Sequence, residues 1–336
     1  MGTIAAAQIA AVCYDAAATT RKVVDAIAEA ARHGAWLVVF PESCVPGYPE
    51  WAWRLAPRSS SPSAEPFRAF ERLFLEQAVA VPGPETEQIA AACRAHDIMA
   101  VVGITERPER AGTLYNTLLY FGPEGAILGR HRKLVPTFAE RLVWGAGDGS
   151  TLRALATPQG VVGGLICWEN YMPLARAALY AQGVQFYAAP MQDAGDRWHA
   201  TVRHIATEAR AWVISTGTLQ RESDFVPALR ALGVYAPDEL AGPGDSVIVD
   251  PLGTIVAGPA RGAEALLYAE APASDALLAR RGFDPVGHYG RGDIFTLQLH
   301  GVALPQELNA APALEALGDH IWRVPGQASA GARASE

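Results

Sequence analysis

The spacing of apolar residues predicts alternating strands and helices near the start of the chain. Residues 4–12 are apolar except for one glutamine, which is typical of a buried strand. Thr19 or Thr20 can cap the helix that follows, because apolar positions then recur at helical spacing until Gly34. Residues 36–40 form a second short apolar run. Strand, helix and strand at these lengths predict a crossover unit in a core sheet.

The same alternation continues to about residue 300. Residues 46–66 are rich in Pro, Ser and Trp and are interpreted as a loop. Further strands are predicted at 98–105, 115–121, 126–131, 151–156, 161–166, 185–189, 212–218, 246–249, 254–257 and 266–270, and helices at 84–96, 173–183 and 197–211. This order predicts an α/β fold with layered sheets and helices outside. One domain is expected over 1–305, and residues 306–336 are expected to be a partly mobile C-terminal tail, available for subunit contacts.

Composition narrows the classes of partner. Of 336 residues, half are apolar and 18% are charged, and the net charge is −8. A mildly acidic chain without a long basic run is not typical of a protein that binds nucleic acid or an anionic membrane. The four cysteines, Cys13, Cys44, Cys93 and Cys167, are scattered and form no CxxC pair. We therefore expect free thiols, a cytoplasmic location and neither nucleic-acid nor membrane partners.

Three residues that can carry chemistry each follow a predicted strand. Glu42 comes after the apolar run 36–40, Lys133 after the strand at 126–131, and Cys167 after the strand at 161–166. Catalytic side chains often gather at the ends of core strands. A partly buried Glu is a usable base near neutrality, a lysine stabilises a developing negative charge, and a cysteine at a sharp turn can act as a nucleophile.

Each of these residues also has an ordinary structural interpretation. Glu42 can be an exposed loop carboxylate, Lys133 part of a solvated basic cluster, and Cys167 a small buried apolar residue. The sequence contains no HExxH, zinc-binding Cys/His pattern, EF-hand loop, GxGxxG or GxxxxGK[ST] motif. The absence of these metal-binding and phosphate-binding motifs favours nucleophilic catalysis by a thiol over metal or nucleotide chemistry.

Together these segments resemble the nitrilase branch of the carbon–nitrogen hydrolase superfamily, which uses a Glu–Lys–Cys triad in this chain order. The resemblance runs from about residue 4 to about residue 295. Three stretches carry it: PGYP at 46–49, the segment 131–149, and CWENYMPL at 167–174. The last of these is the most specific.

The resemblance implies a four-layer αββα sandwich and an active site without a metal or other cofactor. It assigns Glu42, Lys133 and Cys167 to catalysis and adds Glu140 as a second carboxylate that positions the lysine or helps proton transfer. It also implies a homodimer or a larger spiral homo-oligomer. The activity that the resemblance implies is hydrolysis of an organic nitrile to a carboxylic acid and ammonia, through thioimidate and thioester intermediates. The expected partners are a small nitrile substrate and water.

Residues near the triad are expected to line the substrate pocket. Tyr48, Trp51, Trp53 and Trp168 are aromatic, which favours aryl or arylaliphatic nitriles, although some of them can equally be core residues and broad-range aliphatic nitriles stay open. Met191 follows Pro190 where the family more often has Thr. Two alternatives remain: an amidase or carbamoylase that uses the same triad, and a catalytically idle subunit on the same fold.

Overall fold

Two β-sheets form the centre of the computed structural model, which describes residues 2–57, 64–109, 111–295, 297–299 and 321–322. The strands are β1 Thr3–Gln8, β2 Ala35–Val39, β3 Met99–Glu106, β4 Tyr115–Phe121, β5 Ile127–Arg132, β6 Leu155–Thr157, β7 Gly160–Gly164, β8 Phe186–Ala188, β9 Trp212–Ser215, β10 Leu219–Arg221, β11 Leu240–Val249, β12 Ile255–Arg261, β13 Ala265–Glu270, β14 Leu297–Gln298 and β15 Ile321–Trp322. The α-helices are α1 Ala16–Arg32, α2 Ala64–Gln77, α3 Pro84–His96, α4 Pro173–Ala181, α5 Asp196–Ala209, α6 Pro227–Arg230 and α7 Ala273–Arg280. Short 3₁₀ helices span Glu50–Trp53, Phe138–Leu142, Cys167–Tyr171 and Glu222–Asp224.

Each sheet is mixed, with parallel strands at its centre. The first has the order β13-β1-β2-β3-β4-β5, in which β1, β2 and β3 are parallel and the other neighbours antiparallel. The second has the order β10-β11-β9-β8-β7-β6, with β12 paired to β11 and the parallel strands β7, β8 and β9 in the middle. Parallel strands need covered faces, because their crossover helices pack on the sheet.

Alternation along β1 shows how the layers are built. Ile4 and Ala6 face a core shared by both sheets, which also contains apolar residues of α4 and α5. Ala5 and Ala7 face a second core that contains apolar residues of α1 and α3. Because successive strand residues point to opposite faces, one apolar strand serves both cores. The layers are therefore helices, sheet, sheet and helices, which confirms the predicted αββα sandwich.

Several predicted elements are confirmed and one helix start is wrong. The helix Pro84–His96 and the strand Tyr115–Phe121 match to the residue. Helix α1 begins at Ala16 rather than after Thr19 or Thr20, because the Asp15 carboxylate caps it by accepting the Ala18 N–H at 2.8 Å.

The loop interpretation of 46–66 is also corrected in part. It contains the 3₁₀ helix Glu50–Trp53, and α2, which the sequence pattern did not predict, begins at Ala64. Most of the expected tail, residues 306–336, lies outside the described residues. Within them, Ile321–Trp322 pairs with Leu297–Gln298, so a strand does occur beyond the point where the pattern predicted none. The single domain over 1–305 stays a prediction.

None of the helices within the described ranges combines the length and apolar character needed to cross a bilayer.

The segment after β2 lies unusually close to β3. The Phe40 N–H donates to the Val101 carbonyl at 2.8 Å, and the Val45 N–H donates to the Gly103 carbonyl at 3.2 Å. A Cβ on Gly103 would lie 2.2 Å from the Pro41 carbonyl oxygen and 3.0 Å from the Glu42 Cα. Glycine is therefore required here so that the chain carrying Glu42 can pass.

We expect Gly103→Ala to lower stability by about 1–3 kcal/mol, because the methyl group meets rigid backbone that must shift. Thermal denaturation measures the change. Gly112→Ala is the matched control, since a Cβ there meets nothing within 4 Å. Equal melting temperatures for the two variants would show that the close approach is not a constraint.

Candidate active site

Glu42, Lys133 and Cys167 converge from the ends of three strands. Glu42 follows β2, Lys133 follows β5 directly, and Cys167 follows β7. Lys133 Nζ lies 2.8 Å from Glu42 Oε1, and a carboxylate oxygen of Glu42, one of Glu140 and the Cys167 Sγ all lie within 4.8 Å of one another. All four side chains are buried, so the exposed interpretations of Glu42 and Lys133 are wrong.

The Lys133 ammonium joins two carboxylates. It donates to Glu42 at 2.8 Å and to Glu140 at 2.7 Å. Glu140 also accepts the Thr137 N–H at 2.7 Å and the Tyr48 hydroxyl at 2.7 Å. The 3₁₀ helix Phe138–Leu142 therefore presents Glu140 in a fixed orientation, and Glu140 in turn holds the lysine.

The backbone at Cys167 is strained. Its φ of 53° lies in the left-handed region, which costs a non-glycine residue about 1–2 kcal/mol. Three contacts hold it: the Cys167 N–H donates to the Pro190 carbonyl at 2.8 Å, and the Asn170 amide donates to the carbonyls of Cys167 at 2.8 Å and Leu165 at 3.0 Å. The sharp turn predicted from the sequence is therefore present.

Burial and neighbouring charges set the protonation states. Burial raises the pKa of Glu42 to about 6, although Lys133 acts to lower it. Burial, together with the charge of Glu42, also raises the pKa of the Cys167 thiol well above its ordinary value, and Lys133 only partly opposes this. For Lys133, burial lowers the pKa, but the carboxylates of Glu42 and Glu140 outweigh it and raise the pKa. At rest the site therefore holds an ammonium, a protonated thiol and a carboxylate that can serve as the base.

One oxygen of Glu42 is available for a proton. Its Oε1 accepts from Lys133 and from the Asn116 amide, both at 2.8 Å. Among the described residues its buried Oε2 has no hydrogen-bond partner. Asn116 also accepts the Lys133 N–H through its backbone carbonyl at 2.8 Å, so a single residue of β4 orients both members of the pair. The sequence analysis did not identify Asn116.

Glu169 is the second residue that the sequence analysis missed as a site component. Its buried carboxylate accepts the Leu134 N–H at 2.5 Å, the Ile166 N–H at 2.8 Å, and contacts His131 Nε2 at 3.0 Å. It therefore ties the backbone beside Lys133 to the backbone beside Cys167. The only sequence signal was its place within the CWEN run, which says nothing about partners 35 residues away.

Comparison with known proteins agrees with this geometry. A sequence model of the carbon–nitrogen hydrolase family matches residues 3–281. An aliphatic nitrilase of Sinorhizobium fredii is 45% identical over 294 residues, covering 87% of this chain and 94% of that protein. A bifunctional nitrilase/nitrile hydratase of Lupinus angustifolius is 40% identical over 298 residues, covering 86% and 83% of the two chains.

The chain belongs to the nitrilase branch of the carbon–nitrogen hydrolase family.

A solved structure supports the fold of this nitrilase-branch enzyme. Nit3 of Saccharomyces cerevisiae, a member of branch 10 of the nitrilase superfamily, superposes with a TM-score of 0.64 at 20% identity, covering 86% of this chain and 96% of that one. At this identity the likeness shows the shared sandwich and nothing finer.

The residues predicted to bind substrate occupy different positions around the triad of this nitrilase-branch enzyme. Tyr48 is buried and donates to Glu140, and Met191 is buried directly after Pro190, whose carbonyl accepts the Cys167 N–H. Trp168 is 36% exposed and its ring contacts Phe138. Their roles in binding stay predictions.

The other two tryptophans expected near the pocket, Trp51 and Trp53, lie in different surroundings. Trp51 is fully buried against Phe67, Phe70 and Phe74 and belongs to the core. Trp53 is 46% exposed, and its indole N–H donates to the Tyr48 hydroxyl at 3.2 Å. Only Trp53 of this pair contacts the residues around the triad.

We expect Glu169→Gln to lower the free energy of unfolding by about 1–3 kcal/mol, because an amide has one acceptor oxygen and leaves the Leu134 or Ile166 N–H unpaired. Urea denaturation measures the loss. Glu264→Gln is the control: Glu264 receives the Ala10 N–H and Lys22 through one oxygen, which glutamine retains. If the two variants unfold at the same urea concentration, the Glu169 carboxylate does not stabilise the fold by joining these two backbone segments.

Proposed function

We propose that this enzyme hydrolyses an organic nitrile to the carboxylic acid and ammonia, with Cys167 as the nucleophile. The observation that carries the proposal is the buried group in which the thiol lies beside the Glu42 carboxylate and the Lys133 ammonium. Relatives that cover most of the chain and are named nitrilases support the same reaction. The presence of Glu42, Lys133, Cys167 and Glu140 together in one buried site also argues against a catalytically idle subunit.

The first half of the reaction forms a bond from sulfur to carbon. Glu42 takes the Cys167 proton as the sulfur attacks the nitrile carbon, and the proton passes to the nitrile nitrogen, which gives a thioimidate. A cysteine suits this step because it is a strong nucleophile near neutrality. The strained turn at Cys167 presents the sulfur at the end of β7.

The second half uses two water molecules. Water, activated by Glu42, adds to the thioimidate carbon and gives a tetrahedral species that expels ammonia and leaves a thioester. A second water then releases the acid and returns the thiol. Lys133 and the backbone N–H of Trp168, which lies in the first turn of its 3₁₀ helix, stabilise the negative charge that develops.

The same tetrahedral species can expel the thiol instead of ammonia, which yields the amide. The Lupinus angustifolius relative is named a bifunctional nitrilase/nitrile hydratase. Acid and amide therefore both need to be measured.

We propose that Tyr48, Trp168 and Met191 contact the substrate. Trp168 and Phe138 form an edge-to-face pair with ring centroids 5.9 Å apart, and the Trp53 ring also contacts Phe138, at 6.3 Å. These exposed aromatic rings, which begin at the residue after Cys167, favour nitriles with an aryl or arylaliphatic group. The Sinorhizobium fredii relative is named an aliphatic nitrilase, so aliphatic substrates belong in the same test.

We also propose that the enzyme is a homodimer or a larger spiral homo-oligomer in the cytoplasm. Tyr171 and Leu174, which follow the nucleophile, expose apolar side chains that a second copy can cover. All four cysteines are free and buried, which suits a reducing compartment.

We expect the purified enzyme to release ammonia and acid from at least one of phenylacetonitrile, benzonitrile, a cinnamonitrile and a dinitrile. Cys167→Ala is expected to lose at least about 10³-fold in rate, because the covalent path is removed. Ammonia assay and chromatography of acid and amide measure both products. Turnover of amides but no nitrile would favour the amidase alternative, and turnover by Cys167→Ala would exclude the mechanism.

We expect kcat/KM to fall as the pH falls below about 6, because Glu42, whose pKa burial raises to about 6, is then protonated and cannot accept the thiol proton. Initial rates between about pH 4 and 8 measure this limb. In Glu42→Gln the acid limb disappears together with most of the activity. A wild-type profile that is flat down to an ordinary carboxylate pKa, ~4.3, would contradict Glu42 as the base.

A further inference from the structure

The segment 191–195, between β8 and α5, lies against the nucleophile. Directly before it, the Pro190 carbonyl accepts the Cys167 N–H at 2.8 Å, which bonds the start of the segment to the backbone of the nucleophile. Burial raises the pKa of the Cys167 thiol, and the backbone of Gln192 is among the groups close enough to the sulfur to oppose this. The next residue, Asp193, accepts from the Trp168 indole N–H at 3.3 Å. The position of segment 191–195 therefore affects both the thiol and the tryptophan beside it.

The two ends of this segment are held in different ways. At Met191 the backbone is bonded to the segment after β9: its N–H donates to the Thr216 carbonyl at 3.0 Å, and its carbonyl accepts the Thr218 N–H at 2.9 Å. At the other end, the Gly195 N–H donates to Asp245 Oδ2 at 2.6 Å. The Asp245 side chain thus anchors the end that leads into α5.

Asp245 lies on β11 and its carboxylate is completely buried. Its Oδ1 accepts from Arg261 Nε at 2.5 Å, and its Oδ2 lies 3.1 Å from His199 Nε2. A buried carboxylate needs several such partners to offset the loss of water. Asp245 therefore joins the start of α5, strand β12 and segment 191–195 at one point.

The backbone of Asp245 is also strained. Its φ is 85°, directly after Gly244 at 80°. A non-glycine residue keeps such a conformation only where surrounding contacts determine it, and glycine would fit the backbone with less strain. The carboxylate therefore accounts for the aspartate at this position.

We propose that Asp245 is a positioning residue for Cys167, which it influences through the 191–195 segment rather than by contact with the substrate. It holds the Gly195 end, so that the Gln192 amide and the Asp193 carboxylate stay beside the sulfur and Trp168. The proposal rests on the proposed function only in taking Cys167 as the nucleophile.

Asp245→Gly tests the anchor and keeps the backbone conformation accessible. We expect alkylation of Cys167 by iodoacetamide, followed by peptide mass spectrometry, to need a higher pH than in the wild type, because a donor to the thiolate is displaced. We expect kcat for nitrile hydrolysis to fall by about 10- to 100-fold, as for other small misplacements of reacting groups.

Two further variants separate positioning from stability. Asp245→Asn keeps the size and tolerates a positive φ, but it loses the charge that attracts Arg261, so we expect a smaller shift in the same direction. Asp250→Asn is the matched control on the turn after β11. Asp250 receives the Leu252 and Thr254 N–H groups through one oxygen, which asparagine keeps, and both of these contacts stay within the turn after β11.

An upward shift of the alkylation profile in both Asp245 variants, with the control unchanged, supports the proposal. A wild-type alkylation profile in the folded Asp245 variants, whatever their melting temperatures, overturns it and leaves Asp245 a stability element. The alkylation assay needs no substrate. If the wild type hydrolyses no nitrile and the profile still shifts, the proposed function fails and the positioning role stands.

Discussion

The buried ammonium of Lys133 is the interaction on which the arrangement of the site depends. It lies between Glu42 and Glu140, and an unpaired charge at this depth would cost several kcal/mol. The segment after β2, the end of β5 and the 3₁₀ helix Phe138–Leu142 therefore cannot separate without leaving charges unpaired. The same neutralisation lets Glu42 keep a pKa near 6, which suits a base close to neutrality.

Polar side chains that bind backbone groups then fix how the remaining segments meet this charged centre. Glu169 joins the chain beside Lys133 to the chain beside Cys167, and Asn170 holds the left-handed turn of the nucleophile. The Asp245 carboxylate likewise binds a backbone group, the Gly195 N–H at the end of segment 191–195. Because each of these buried groups has partners on several elements, strain at Cys167 and at Asp245 is retained in the folded chain.

The sequence predicted the elements whose signals are local. Pro84 at the first turn and regular apolar spacing define α3, whereas α2 was missed because it follows a stretch rich in Pro and Ser. The triad could be predicted because each member follows a predicted strand within a recognisable motif. The roles of three other residues could not be predicted: Asn116, Glu169 and Asp245. Their hydrogen-bond partners lie on segments distant in sequence, and a single polar residue in the sequence does not indicate which distant groups it will bind.

The site forms at the seam between the two sheets, and this has a consequence for biosynthesis. Glu42 and Lys133 follow strands of the first sheet and leave the ribosome before Cys167, which follows a strand of the second. Segment 191–195 and its anchor Asp245 are made later still. A nascent chain therefore carries an ordinary cysteine without its assembled base and donors. The thiol becomes a catalytic group only when the sandwich closes, because only then do Glu42 and Lys133 lie beside it.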